Sequence, residues 1–263
     1  MKKVILNIIL VICIITACVT GFFLFKYYHD SHENEELVSS LKDMIDDSSD
    51  GTVEASGQEP LKVVIDEKEI LKRYQKLYEK NKDFIGWIHI DGTKVDYPVM
   101  QCVEQEQKYL RKNFDGEYAL AGTPFMAAAC DVQKPSTTLV IYGHNMKDNT
   151  MFGGLDDFTD PEYANAHKTV RFDTIYGLGM YEVVAAFHMT LPQKVGDGYP
   201  FHTFIEADSQ ESLDEFVKAV NEKNENGMNF TATMEDHFLM LSTCDDVGAK
   251  DGRRVILIAK RVM

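Results

Sequence analysis

The chain has 263 residues, 44% of them hydrophobic and 26% charged, with a formal net charge of −15. That length holds one domain of about 200 residues with a substantial core, plus accessory segments. The acidic balance argues against nucleic acid or an anionic lipid surface as a partner, because phosphate recognition needs a basic face.

Residues 4–25, VILNIILVICIITACVTGFFLF, carry no charge, and Asn7 is their one strongly polar side chain. As a helix the run measures roughly 33 Å, enough to cross a bilayer. Lys2 and Lys3 precede it, and no Asp or Glu occurs before Asp30. The positive-inside rule therefore predicts a cytoplasmic N-terminus at 1–3, a single-pass signal anchor at 4–25 and an extracellular remainder. The run exceeds the apolar region of a cleavable signal peptide. Ile15-Thr16-Ala17-Cys18 also fits a bacterial lipobox with Cys18 lipidated, but a lipoprotein needs no apolar stretch continuing to Phe25. Both readings export residues 26–263.

Residues 26–65 are polar, acidic and rich in Ser and Gly, the composition of an extracellular tether with a short helix around Glu35–Met44. The acidic cluster at 46–50 lacks EF-hand ligand spacing. The remaining segment, 66–263, is the expected folded domain. It opens with an apolar stripe, Ile70, Leu71, Tyr74, Leu77 and Tyr78, whose spacing predicts an amphipathic helix. Strand-like runs come next: GWIHI, then TKVDYPV after an Asp91-Gly92 turn, then TTLVIYG, KTVRFDTI and MYEVVAAFHM. The last two are joined by a turn at Tyr176-Gly177-Leu178-Gly179. DSQESLDEFVKAVNEKN reads as a helix capped by Asp208 with Glu211 three residues on, burying Leu213, Phe216, Val217 and Val220. HFLMLST and RRVILIAK close the chain as strands. Many strands, few helices and no βαβ alternation predict a mainly β antiparallel sheet or barrel with helices at its margins.

The eight histidines form no HExxH, no CxxC pair exists and no Gly loop suits a phosphate, so neither a metal nor another cofactor is expected. Cys102, Cys130 and Cys244 lie beyond the apolar run, and an odd number leaves at least one thiol unpaired. Cys130 comes after an alanine run and reads as a packing residue. Cys102 has no basic neighbour. Cys244 ends an apolar strand, and Arg253 and Arg254 open the next one, where cations favour the thiolate. A nucleophilic cysteine needs an acid for its leaving group, normally His. His144, just past the strand in LVIYGHNM, is the best placed. Arginine offers a planar, permanently charged fork to a developing oxyanion. Adjacent strand residues face opposite ways, so the two arginines cannot both face the cysteine; periodicity leaves open which of them points inward, and both also suit surface charges flanking a strand.

The order His144 in YGHNM, Cys244 in LSTC and Arg at the start of the last strand resembles the sortases, membrane-anchored cysteine transpeptidases of Gram-positive bacteria. FIGWIHIDGTKVDYPVMQ (84–101), KYLRKNFDG (108–116), VIYGHNMKDNTMFGGL (140–155), MLSTC (240–244) and RVILIAK (254–260) carry the likeness, closest to class B. The resemblance implies an eight-stranded sortase-type β-barrel with an N-terminal helix, and another helix inserted before the cysteine strand. It implies Cys244 as nucleophile, His144 as proton donor and acceptor, and Arg254 rather than Arg253 at the oxyanion. Leu110, Tyr142, Tyr199, Pro200, Ser242 and Thr243 would line the substrate groove. Met240 stands where the family motif usually has Thr, and PFMAAACDVQKP (124–135) lacks the aromatic and acidic residues expected there. The implied reaction cleaves the C-terminal sorting signal of an exported protein after Thr and passes the acyl group to an amine of a peptidoglycan cross-bridge or its lipid-linked precursor. Against a papain-like cell-wall hydrolase stands the chain order, since those enzymes place Cys before His. Against a silent surface-binding module stands the intact His, Cys and Arg set.

Overall fold

A computed structural model of the protein describes residues 2–45, 60–190, 199–244 and 253–263. The acidic cluster at 46–50, the rest of the expected tether to residue 59 and the DDVGAKDG loop at 245–252 lie outside the described residues.

A small hairpin, β1 (Lys62–Ile65) with β2 (Lys68–Leu71), precedes the main sheet. The sheet is a closed barrel of β3 (Phe84–Ile90), β4 (Asp96–Met100), β5 (Phe125–Met126), β6 (Thr138–His144), β7 (Thr169–Thr174), β8 (Met180–Thr190), β9 (Phe238–Cys244) and β10 (Arg253–Arg261). Around the barrel the order is β10, β8, β7, β3, β4, β5, β6, β9, closed by pairing of β9 with β10. Two of these pairings, β4 with β5 and β6 with β9, are parallel, which departs from the all-antiparallel expectation. β6 and β9 are apolar on both faces: Leu139, Val140, Ile141, Leu239, Met240 and Leu241 are all buried. Strands covered on both sides read as unbroken apolar runs, the pattern of parallel pairs.

Helix α4 (Gln210–Lys223), which follows the short α3 (Pro161–Ala166) in the chain, supplies part of that cover, its Phe216 ring meeting Phe238 of β9 at 5.9 Å. Its four expected apolar residues are buried, but the cap is Ser209, which accepts from Ser212 N–H, and not Asp208. At the β3–β4 turn Gly92 takes φ +75°, and a side chain there would collide with His167. The expected helix over the start of the domain is only half present. Ile70 and Leu71 belong to β2, Tyr74 to a 3-10 turn, and Leu77 and Tyr78 to the short α2 (Gln75–Lys80). All five are buried as the stripe requires; β1 captures the first two because pairing supplies their backbone hydrogen bonds.

The larger correction concerns the tether. Helix α1 runs unbroken over Lys2–Lys42, and its end packs on the barrel. Leu41 is completely buried in a second apolar cluster with Trp87, Tyr109 and Phe125, and Leu37, Val38, Met44 and Ile45 pack against it. Acidic side chains on the other faces of the helix hide this stripe in the composition. Lys42 bonds to Asp96, whose carboxylate also accepts from Trp87 Nε1–H at 2.7 Å and pairs with His89 at 3.3 Å. Burial opposes ionisation of Asp96, but His89, Lys42 and Trp87 outweigh it and hold the carboxyl down at about 2. Leu41→Ala is expected to destabilise the domain by about 2–5 kcal/mol, measured by chemical unfolding of the full chain in micelles.

Two histidines tie stability to pH. The hydrogen-bond partner Asp96, with Asp91, raises His89 against the effect of burial. At His188 burial favours the neutral ring, and Glu225 at 2.9 Å and Asp156 at 2.6 Å overcome it, raising the pKa. Raised folded pKa values give stability that is complete below the unfolded value of about 6.5 and lost as pH rises through the folded values. Unfolding midpoints are expected to fall from about pH 6 to 8, and to lose most of that slope when both histidines become Gln.

Candidate active site

The residues expected to carry chemistry lie where three strand ends meet. β6 and β9 run parallel in register through seven positions, ending with Tyr142 beside Ser242, Gly143 beside Thr243 and His144 beside Cys244. On the other side of β9, β10 runs antiparallel with Ile256 opposite Ser242. Continuing that register by two residues sets Arg254 opposite Cys244. Directly paired positions lie on the same face of a sheet, so the positions of His144, Cys244 and Arg254 share one face and that of Arg253 falls on the other. Arg253 is exposed and Arg254 half-buried, in keeping with that register.

His144 is 6% exposed and its Nε2 lies 2.8 Å from the backbone oxygen of Leu110. A carbonyl only accepts, so Nε2 carries the hydrogen, and the tautomer is set by the segment between the second apolar cluster and β5. Gly143 allows this packing, because a Cβ there would sit 2.6 Å from the Phe152 ring. Beyond His144 the chain makes a tight loop. Phe152 N–H returns to the His144 carbonyl at 2.9 Å, Asn145 bridges Met151, and Tyr97 Oη accepts from Met151 N–H at 3.0 Å.

The groove candidates divide. Tyr142 is half-buried, its ring 5.5 Å from that of Phe125. Leu110 is half-buried and engages His144 through its backbone rather than its side chain. Ser242 and Thr243 are buried, and Thr243 Oγ1 accepts from Val255 N–H at 2.8 Å, which ties the start of β10 to β9 beside Arg254. Tyr199 is half-buried against Phe201, Phe204 and Phe216, with its phenol pushed up to about 12 by burial, whereas Pro200 is exposed.

His202, in the 3-10 turn Phe201–Thr203, has no motif to flag it. Burial, together with the nearby Arg254 charge, lowers its pKa, so it belongs to the same neighbourhood. The other thiols stand apart. Cys130 is buried, accepts from Val140 N–H and is pushed up to about 11 by burial, the behaviour of a packing residue. Cys102 Sγ lies 3.7 Å from Glu104, a carboxylate and not a thiolate-stabilising cation.

Known proteins share this arrangement of strands. The family model for the sortase domain matches residues 88–262. Sortase B of Staphylococcus aureus is 30% identical over 188 residues, 72% of this chain and 74% of the relative. Sortase B of Listeria monocytogenes is 30% identical over 258 residues, 94% of this chain and 95% of the relative. In fold, a solved Staphylococcus aureus sortase B–substrate complex superposes with a TM-score of 0.73 at 22% identity, covering 89% of this chain and 98% of that one. A barrel of this topology, with a histidine and a cysteine at paired strand ends and an extended match to both relatives, makes the chain a member of the sortase family of cysteine transpeptidases.

Proposed function

We propose that this sortase uses Cys244, His144 and Arg254 to cleave the C-terminal sorting signal of exported proteins after Thr, and to join the new acyl end to an amine of a peptidoglycan cross-bridge or its lipid-linked precursor. The observation that carries the reading is the register at the barrel rim: the ends of β6 and β9 are paired, and the β9–β10 register, continued by two residues, brings Arg254 of β10 opposite Cys244. The superposed structure is that of a sortase B–substrate complex, which supports a substrate-binding enzyme on this fold.

The Cys244 thiolate attacks the carbonyl carbon of Thr, forming a C–S bond and a tetrahedral oxyanion. Arg254 neutralises that oxygen with its fixed fork of donors. The C–N bond then breaks, and His144, as imidazolium, gives a proton to the departing amine. With Nε2–H donated to the Leu110 carbonyl, that exchange falls to Nδ1. The thioester left on Cys244 is attacked by the acceptor amine, His144 takes the proton back, and the thiolate leaves as the new amide forms. Tyr142, Tyr199 and Pro200 are candidates for the groove wall. Ser242 and Thr243 support it from below, through the hydroxyl that Thr243 commits to β10. The long apolar α1 anchors the enzyme with its N-terminus in the cytoplasm and its barrel outside, at the surface where both substrates are concentrated.

Cleavage of sorting-signal peptides tests the roles. Cys244→Ala is expected to abolish it, and Arg254→Ala and His144→Ala each to lower kcat/KM by about two orders of magnitude or more. Arg253→Ala should stay close to wild type; a severe Arg253 variant beside a mild Arg254 variant would reverse the assignment. Adding amine acceptors should divert product from the hydrolysed to the aminolysed peptide, and a product that stays hydrolysed at all acceptor concentrations would remove the transfer step.

A further inference from the structure

The face of α1 that touches the barrel begins almost where its apolar run ends. Tyr27, Asp30, Ser31, Asn34, Leu37 and Val38 are half-buried and Leu41 is fully buried, a repeat of three and four residues that marks one side of a helix. Ser31 Oγ donates to Asp148 Oδ2 at 3.3 Å. Asp148 belongs to the loop that leaves His144. Its other carboxylate oxygen accepts from Thr150 N–H and Oγ–H, and its carbonyl accepts from Lys94 Nζ at 2.7 Å. Lys147 and Asn149, at the loop tip, are exposed.

Helix rise converts these contacts into heights. Ser31 stands about 9 Å beyond Phe25 along the axis, and Leu41 about 24 Å. The headgroup layer extends roughly 5–7 Å past the hydrocarbon core on each side. A helix that continues from apolar run to docked barrel has no joint that would lift the domain away.

We propose that the 145–151 loop and the adjoining rim of the barrel rest on the lipid headgroup surface of the outer leaflet, held there by α1. His144 then works within one loop of the lipid plane. The contact is imposed by the helix and not by charge, since Asp30, Glu33 and Glu36 on α1 offset Lys94 and Lys147. This rests on residues 4–25 spanning the bilayer, and the test separates the two.

The chain has one tryptophan, Trp87, buried near Lys42 at the far end of the docked helix. In phosphatidylcholine vesicles containing a headgroup nitroxide lipid, the wild-type full chain should therefore show little quenching. Lys147→Trp should be quenched severalfold more, and Phe23→Trp should report the span itself. A quenched Phe23→Trp beside a Lys147→Trp no different from wild type would overturn the docking and leave the span standing. An unquenched Phe23→Trp would overturn both. Inserting a flexible Gly-Ser-Gly-Ser-Gly between Lys26 and Tyr27 of the Lys147→Trp chain should return quenching towards the wild-type level; quenching that persists would show that α1 does not hold the loop there.

Discussion

The parallel pairing of β6 with β9 is the constraint on which the site depends. Seven consecutive positions are matched, and the middle of each strand is buried on both faces. A slip of one residue would turn every side chain of one strand to the opposite face and place apolar groups against the wrong neighbours. The core therefore fixes the register, and the register fixes which residues meet at the rim. β10 repeats the logic on the other side of β9, with a hydrogen bond from Val255 N–H to Thr243 Oγ1 holding its first residues in place.

Holding the groups in this way matters because transfer chemistry depends on orientation. A thioester route needs nucleophile, proton carrier and oxyanion donor in place before the peptide arrives, since ordering them during the reaction adds to the barrier. The Leu110 carbonyl fixes the His144 tautomer, and the tight return of Phe152 to His144 restrains the backbone that carries it. The buried phenol of Tyr97 adds a further tie through Met151, linking the loop to β4. The site is thus supported from β4, β6, β9 and β10, all of them parts of one closed sheet.

Local pattern makes most of these elements legible. The apolar runs ending in His144 and Cys244, the Asp91-Gly92 turn and the stripe of α4 are all written in residue spacing. What local pattern does not carry is partnership between distant segments. The parallel pairing of β6 with β9 joins residues about a hundred positions apart, and no local signal connects them. The choice between Arg253 and Arg254 likewise needs either the family likeness or the β9–β10 register. His202 escapes notice because a lone histidine between Phe201 and Phe204 carries no motif; its lowered pKa reflects burial and Arg254, both tertiary effects. Ile70 and Leu71 have the spacing of a helix face yet join a hairpin, because burial periodicity over two residues does not distinguish the two.

The departure of residues 26–42 from tether to helix has the widest consequence. As a random coil, residues 26–65 would span roughly 35 Å r.m.s. and let the barrel sample a broad shell above the membrane. A packed helix from Tyr27 to Leu41 removes that freedom, at an entropic cost met by burying Leu41 and satisfying Asp96. Effective concentration rises when the accessible volume shrinks, but only for partners within reach of the fixed geometry. A lipid-linked amine is confined to the surface and meets that condition, whereas a cross-bridge far out in the wall does not. Under the proposed anchoring and transfer, rigid attachment at this height would favour a membrane-bound acceptor over mature wall, a preference that a flexible tether would not create.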